Sequence, residues 1–183
     1  LKKMKKDKDF IEIYGLNAIR PALKNDLRKH EKLIITRKNK DSLDKKLLER
    51  LNVIVELPMR EINKLYGSEH THQGIVLKTS RLTQPSLDEI LFNADQNKEI
   101  IVMLDHVNDP NNIGSIMRSC SLFSCKSLIV TKDNSPDITP AIAKAASGAL
   151  EIVNYIKVTN LSRAIEKFKR NNFWVIGLDN NKR

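Results

Sequence analysis

The feature that most constrains the fold is a regular alternation of apolar runs and helix-like segments from Glu99 onward. Four apolar runs predict strands: IIVMLD (100–105), SLIVT (127–131), IVNYIKV (152–158) and FWVIGL (173–178). The segments between them predict helices: SIMRSCSLF (115–123), PAIAKAASGAL (140–150) and LSRAIEKFKRN (161–171). Strands joined through helices form right-handed crossovers, so this pattern predicts a parallel sheet with helices on its faces.

The first part of the chain has a different texture. Three shorter apolar runs predict strands: KLIIT (32–36), VIVEL (53–57) and GIVLKT (74–79). Helices are expected after Asn17 and Ser42, which are suitable N-caps, and over 59–66; Pro21 is expected in the first turn of the first helix. We therefore divide the chain into a lysine-rich, disordered tail (1–9), a small αβ domain (10–80), a linker (81–98) and an α/β domain (99–183). The linker includes a short helix, LDEILFNA, capped by Ser86.

The net charge of +10 is concentrated near the amino terminus, where residues 1–50 hold 16 basic and 8 acidic side chains. Such an excess attracts phosphate backbones and releases counterions when they bind. A solvated lysine-rich surface explains the same composition, so charge alone leaves both interpretations open.

Location follows from the absence of two kinds of segment. The sequence contains no run of 18 apolar residues, so no membrane-spanning helix is expected. The basic start LKKMKKDKDF is not followed by the apolar core of a secretory signal. The two cysteines, Cys120 and Cys125, lie five residues apart in an apolar stretch. A reduced, cytoplasmic setting is the simplest interpretation, and a disulfide or metal pair is the alternative.

The richest group of polar residues is DHVNDPNNIGSIMR (105–118), which follows the first strand of the predicted parallel sheet. Ligands bind at the carboxyl ends of parallel strands. Asn112 stands where a helix N-cap is expected, Gly114 permits close backbone approach, and the planar guanidinium of Arg118 suits a phosphate. The alternative is an ordinary turn with an asparagine cap and one exposed arginine.

This segment resembles the first signature motif of the SpoU (TrmH-like) RNA 2′-O-ribose methyltransferases, in which a D-x-V-x-D-P-x-N stretch is followed by a glycine and an arginine. Three further stretches extend the resemblance over most of the chain, from about Tyr14 to Asp179: IYGLNAIRPAL, Thr71-His72-Gln73-Gly74, and the region from ITPAIAKAASGAL to FWVIGLD. The RlmB-type subgroup, which modifies guanosine in large-subunit ribosomal RNA, is the most similar, and related tRNA enzymes share most of these features.

The resemblance implies a fold and an activity. The front domain would bind substrate RNA, and the back domain would be a SPOUT-type methyltransferase with a trefoil knot. The enzyme would use S-adenosyl-L-methionine without a metal, act on rRNA or tRNA, and form a homodimer through the back domain. The family's functional asparagine and arginine fall on Asn112 and Arg118, as RNA-binding and catalytic residues. Further RNA contacts are expected from four basic residues of the front domain: Lys24, Arg28, Arg37 and Lys38.

The sequence departs from the family pattern after its last predicted strand. The family's glycine-rich G-x-E loop and its Ser-Leu-Asn-Val-like helix start do not follow Leu178. Because these motifs supply most of the methyl-donor site, the donor-binding residues stay unknown, and an incomplete, inactive chain is one expectation. The alternative function is a noncatalytic RNA-binding protein that uses the basic front domain.

Three other groups of residues carry less weight as sites. Glu69-His70-Thr71-His72 offers two histidines, but no third zinc ligand is near. Asp105 and Asp109 suggest a magnesium pair, but the Pro-Asn-Asn between them and the helix argues against it. We therefore expect no metal. Phe173 and Trp174 begin a predicted strand and are expected in the core.

Arginine stays protonated at neutral pH, so the expected role of Arg118 is electrostatic rather than that of a general base.

Overall fold

The computed structural model of the chain describes residues 9–67, 72–94 and 99–178. Most of the predicted basic tail and three residues of the histidine motif, Glu69, His70 and Thr71, lie outside the described residues. The described residues form two sheets, one of four strands and one of three.

The first sheet belongs to the front domain. Its elements are β1 (Phe10–Tyr14), α1 (Leu16–Lys24), β2 (His30–Ile35), α2 (Arg37–Asp41), α3 (Lys45–Leu48), β3 (Ile54–Glu56), α4 (Met59–Tyr66) and β4 (Ile75–Ser80). The strand order is β1-β4-β2-β3, with β4 antiparallel to both neighbours and β2 parallel to β3. The three strands expected from apolar runs are present, whereas β1 was missed because its polar Glu12 interrupts the apolar pattern.

Two helix starts in the front domain differ from the predictions. The first helix begins after Gly15 rather than Asn17, so Pro21 lies inside α1 instead of in its first turn. The helix predicted after Ser42 is the short α3, which is capped by Asp44, whose carboxylate accepts the backbone N–H of Lys46. The carboxylate of Asp44 is therefore the cap that the structure uses, and Ser42 closes α2.

The second sheet is parallel, as predicted. Its elements are α5 (Leu87–Ala94), β5 (Ile101–Leu104), α6 (Pro110–Leu122), β6 (Ser127–Thr131), α7 (Pro140–Ala146), a 3-10 turn (Ala149–Glu151), β7 (Asn154–Val158) and α8 (Leu161–Arg170). The strand order is β5-β6-β7 with both pairs parallel. Ser86 and Glu89 cap α5 reciprocally, since each side chain accepts the other residue's backbone N–H.

The two faces of the parallel sheet are covered by different helices. Leu128 and Val130 of β6 share one apolar cluster with residues of α6 and α7. Ile129 of β6, which points to the opposite face, packs with residues of α5 and α8. The chain therefore leaves β6 toward one face of the sheet and leaves β7 toward the other.

The fourth predicted strand, 173–178, is wrong, because these residues pair with no strand of the described sheet. Phe173 packs edge-on against Phe168 of α8, with ring centroids 5.1 Å apart. Trp174 was expected in the core, but it is 96% exposed, and Leu178 is also exposed. An apolar run predicts burial, but a strand also needs a neighbour to complete its hydrogen bonds, and local sequence does not supply one.

The front and back halves share one apolar core. A single cluster of buried residues includes Ile13 and Leu23 from the front half and Met117 and Ile142 from the back half. Between the two halves, the side-chain carbonyl of Gln84 accepts the backbone N–H of Tyr155 over 2.7 Å and so fixes the connecting segment to β7. The segment predicted as a linker is thus held against the second sheet at this point.

Candidate functional site

The helix that carries the motif, α6, is capped at its start by Asp109. Asp109 is the N-cap of α6, and its carboxylate accepts the backbone N–H groups of Asn111 and Asn112 over 3.1 and 3.3 Å. Pro110 occupies the first helical position, where its missing N–H costs nothing. The prediction that Asn112 is the cap is therefore wrong. Because Asp109 takes that role, the exposed Asn112 side chain has no hydrogen bond to another described residue and is available to a ligand.

Asn112 and Arg118 lie on the same helix and are both exposed. Six residues of α-helix correspond to a rise of about 9 Å and an angular separation of about 120°. No hydrogen bond joins the two side chains, and Asn111 and Ser115 are closer than Asn112 to the angular position of Arg118. Among the described residues, none forms a hydrogen bond or ion pair with the Arg118 guanidinium. The arrangement suits a long ligand that reaches both residues.

The position of α6 is fixed by its close packing on α7. A Cβ added to Gly114 would lie 2.4 Å from the Cβ of Ala145 and 2.9 Å from the carbonyl oxygen of Ile142. Only glycine therefore allows the two helices to approach this closely. The close backbone approach expected at Gly114 is the approach of α6 to the backbone of α7.

The loop between β5 and α6 is polar and exposed. His106 adopts a positive φ of 53°, and its Nδ1 lies 2.8 Å from the Asp105 carboxylate. The hydroxyl of Ser135 donates to the carbonyl of Val107 over 3.3 Å, which ties this loop to the loop after β6. Among the residues that the structure describes, no group of three or more His, Cys, Asp or Glu side chains is suited to a metal ion.

The two cysteines pack beneath the carboxyl end of α6 as buried, free thiols. The close contact of the two thiols and their burial raise the pKa of Cys120. Neither sulfur reaches the surface that carries Asn112 and Arg118, so the pair is part of the core rather than of the site.

Three of the four basic residues predicted to bind RNA in the front domain are exposed: Lys24, Arg37 and Lys38. Arg37 and Lys38 border a cavity of about 550 Å³ beyond the ends of β2 and β3, together with Leu57 and Met59. This cavity combines two cations and the Glu56 carboxylate, which is paired with Lys40, with apolar side chains, and such a surface suits a phosphate and an unstacked base.

Arg28 is a different case, and the structure contradicts its assignment to RNA. Its guanidinium is buried and forms two hydrogen bonds with the Glu151 carboxylate, at 2.7 and 2.8 Å, and a third with the carbonyl of Ser80. Asn25 donates a further hydrogen bond to Glu151. Arg28 therefore joins the front and back halves and is not accessible to a phosphate.

The charge of one crevice in the second sheet decides whether that crevice suits the methyl donor. The crevice at the carboxyl ends of β6 and β7 has a volume of about 750 Å³, and four cations line it: Lys132, Lys157, Arg163 and Lys167. Asp133 and Asp137 also line the crevice, and Lys157 and Lys167 are paired with Asp137 and Asp88, so Lys132 and Arg163 are the cations that would oppose a sulfonium cation in this crevice. We assign no donor-binding residue among the described residues. The crevice is not evident from the sequence, because its cations lie on separate elements.

Two family descriptions match the chain, one over each half. "RNA 2'-O ribose methyltransferase substrate binding" matches residues 13–85, and "SpoU rRNA Methylase family" matches residues 99–183. Among curated relatives, 23S rRNA (guanosine-2'-O-)-methyltransferase RlmB of Coxiella burnetii is 31% identical over 90% of this chain and 68% of its own. RlmB of Pasteurella multocida is 33% identical over 90% of this chain and 69% of its own.

Solved structures share the fold. The AdoMet-bound rRNA methyltransferase of Sinorhizobium meliloti superposes with a TM-score of 0.67 at 20% identity, over 94% of this chain and 61% of that one. The SpoU methyltransferase AviRb of Streptomyces viridochromogenes gives 0.65 at 18% identity, over 90% of this chain and 59% of that one. The chain thus spans about three fifths of the length of these solved structures.

The two family matches, together with an α/β fold whose motif helix starts at the carboxyl end of a parallel strand, place the chain in the class of RNA-modifying α/β proteins. Within that class, the chain belongs to the SpoU family of RNA methylases. Separately, none of the helices in the described ranges has the length and apolar character needed to cross a membrane.

Proposed function

We propose that the chain acts in the S-adenosylmethionine-dependent methylation of a ribose 2′-hydroxyl in structured RNA, with large-subunit rRNA guanosine favoured over tRNA. The observation that carries this proposal is the exposed pair Asn112 and Arg118 on a helix that starts at the carboxyl end of β5. The two family matches, which cover the substrate-binding and methylase parts in order, support it. We further propose a cytoplasmic homodimer, associated through the methyltransferase half.

Arg118 and Asn112 are proposed to hold the RNA rather than to take its proton. Arginine remains protonated at neutral pH, so its guanidinium stabilises negative charge on a phosphate or on the reacting oxygen. Asn112 has both a donor and an acceptor, which suits the hydroxyls of a ribose. Because the two residues are about 9 Å apart along α6, we assign them to neighbouring groups of one RNA strand.

The front domain is proposed to bind the same RNA at a distance from the reaction. Lys24, Arg37 and Lys38 are exposed cations, and the last two border the cavity beside Met59. S-adenosylmethionine supplies the methyl group in such a reaction.

The experiment compares Arg118→Lys with the parent chain and with a matched control, Arg170→Lys. Arg170 is also an exposed helical arginine, but it lies at the far end of α8 beside Glu166. The chain is incubated with tritiated S-adenosylmethionine and unmodified 23S rRNA or tRNA, and 2′-O-methyl positions are mapped. We expect Arg118→Lys to lose at least tenfold in rate, because lysine keeps the charge but loses the planar fork.

Each outcome of this assay has a consequence. Near-normal methylation by Arg118→Lys contradicts the assigned role of Arg118. RNA binding without any methyl transfer by the parent chain favours the alternative, a noncatalytic RNA-binding protein. Equal losses in Arg118→Lys and Arg170→Lys indicate a general effect of arginine replacement rather than a site.

A further inference from the structure

The crevice at the carboxyl ends of β6 and β7 lies where the topology of the sheet opens a binding site. The chain leaves β6 toward the face covered by α7 and leaves β7 toward the face covered by α8. Where adjacent parallel strands send their connections to opposite faces, a crevice remains between the two loops, and ligands bind there. The lining residues from 132–137 and 159–160 belong to these two loops.

The charge of the crevice indicates which kind of ligand it takes. Four cations line it against two carboxylates, Asp133 and Asp137. Lys157 is paired with Asp137 at 2.8 Å, and Lys167 is paired with Asp88 at 2.6 Å. Among the described residues, Lys132 and Arg163 have no ion-pair partner, and both are exposed. The crevice therefore has two cations available for an anion, with Asp133 as the opposing charge.

Two further features favour a phosphate that belongs to a long ligand. The helix α8, of 10 residues, begins at the crevice, and its amino end adds positive potential. The loop after β6 is hydrogen-bonded to the motif loop through Ser135 and Val107. The strands β5 and β7 are separated only by β6, so the carboxyl end of β7 lies roughly 10 Å from that of β5.

We propose that this crevice binds a backbone phosphate of the RNA substrate through Lys132 and Arg163, near the nucleotide that Asn112 and Arg118 hold. The inference rests on the proposed function, because it takes the same RNA as the ligand. It adds a second contact point in the methyltransferase half that the motif does not include. RNA is favoured over a free small anion because the loop after β6, which lines the crevice, is hydrogen-bonded to the motif loop.

The test measures binding of a fluorescently labelled 23S rRNA transcript by the full chain between 50 and 200 mM KCl. The variant is Lys132→Ala/Arg163→Ala, and a second variant replaces both residues by Gln. The matched control, Lys126→Ala/Lys169→Ala, removes two exposed cations away from the crevice, one just before β6 and one near the end of α8. A thermal melt of each variant checks folding.

The expected result is weaker binding by both crevice variants at every salt concentration. The slope of log affinity against log salt is negative, and it should become shallower by about 1 to 2 relative to the parent, since each lost phosphate contact removes roughly one counterion. The control should keep most of the parent's slope. Crevice variants that bind as the control does overturn the proposal while leaving the proposed function intact, whereas no RNA binding by the parent overturns both.

A second arm distinguishes RNA from a free anion. Inorganic phosphate is titrated at constant ionic strength, and the backbone amide signals of residues 132 and 159–163 are followed by NMR. Shifts with phosphate together with unchanged RNA affinity of the crevice variants assign the crevice to a small anion and overturn the RNA proposal. Shifts of the same signals with RNA, which are lost in the crevice variants, support it.

Discussion

The ion pair between Arg28 and Glu151 gives the sharpest prediction about stability. The two side chains are 1% and 6% exposed, and the pair is bidentate. Replacing Arg28 with Met would leave the buried Glu151 carboxylate with only the hydrogen bond from Asn25 among those named. Removing one partner of such a buried pair costs about 3–5 kcal/mol. For a chain of this size, that corresponds to a fall in melting temperature of roughly 6–20 °C.

The assay is urea unfolding followed by circular dichroism, with a double-mutant cycle. Glu151→Met should also be strongly destabilising, whereas the double variant Arg28→Met/Glu151→Met should recover much of the loss, since no buried charge is then left alone. The control is Lys40→Met, which breaks the half-exposed pair with Glu56 and should cost less than about 1 kcal/mol. If Arg28→Met costs no more than Lys40→Met, the assignment of Arg28 as the buried connection between the halves is wrong.

Three further predictions concern single residues. Gly114→Ala should lower the free energy of unfolding by about 1–3 kcal/mol, because its Cβ would overlap Ala145. The control Gly177→Ala, whose Cβ would have nothing within 4 Å, should change the free energy of unfolding by less than about 0.5 kcal/mol. Equal urea midpoints for the two variants would refute the close packing of α6 on α7. Burial, with Arg50 and Arg28 nearby, lowers the pKa of His30, so the unfolded state binds the extra proton first, and stability should fall as the pH drops through about 6.5. His30→Gln should reduce that fall between pH 7.5 and 5, and identical pH profiles would contradict it. Trp174, the sole tryptophan, is 96% exposed, so acrylamide should quench its fluorescence efficiently; a protected, blue-shifted emission would show that residues 173–178 are packed.

Much of the architecture was predictable because the relevant signals are local. Alternating apolar and helical segments after Glu99 predicted the parallel sheet, and the apolar runs at 32–36 and 74–79 predicted strands of the first sheet. The Asp105–Arg118 motif also predicted a ligand-binding loop at the end of a strand, and the structure has Asn112 and Arg118 exposed there. Periodicity and short motifs depend on neighbours within a few residues, so one sequence contains them.

The details that failed depend on residues that are distant along the chain or compete for one position. Asp109 and Asn112 are both good caps, and only the path of the loop decides that the carboxylate of Asp109 takes the role. The run at 173–178 is apolar enough for a strand, but the sheet provides it no neighbour. The four basic residues of the front domain looked alike in sequence, yet Arg28 is buried while Lys24, Arg37 and Lys38 are exposed.

The sequence by itself determined the class of fold, the order of the elements and the segment that carries the motif. The tertiary structure alone decided which cation is structural and which cations meet at the crevice beside α8. The partner of Arg28 lies 123 residues away along the chain, and Lys132 and Arg163 come from different connections of the sheet. The role of a charged side chain depends on burial and on its partner, and folding brings such partners together across any sequence distance.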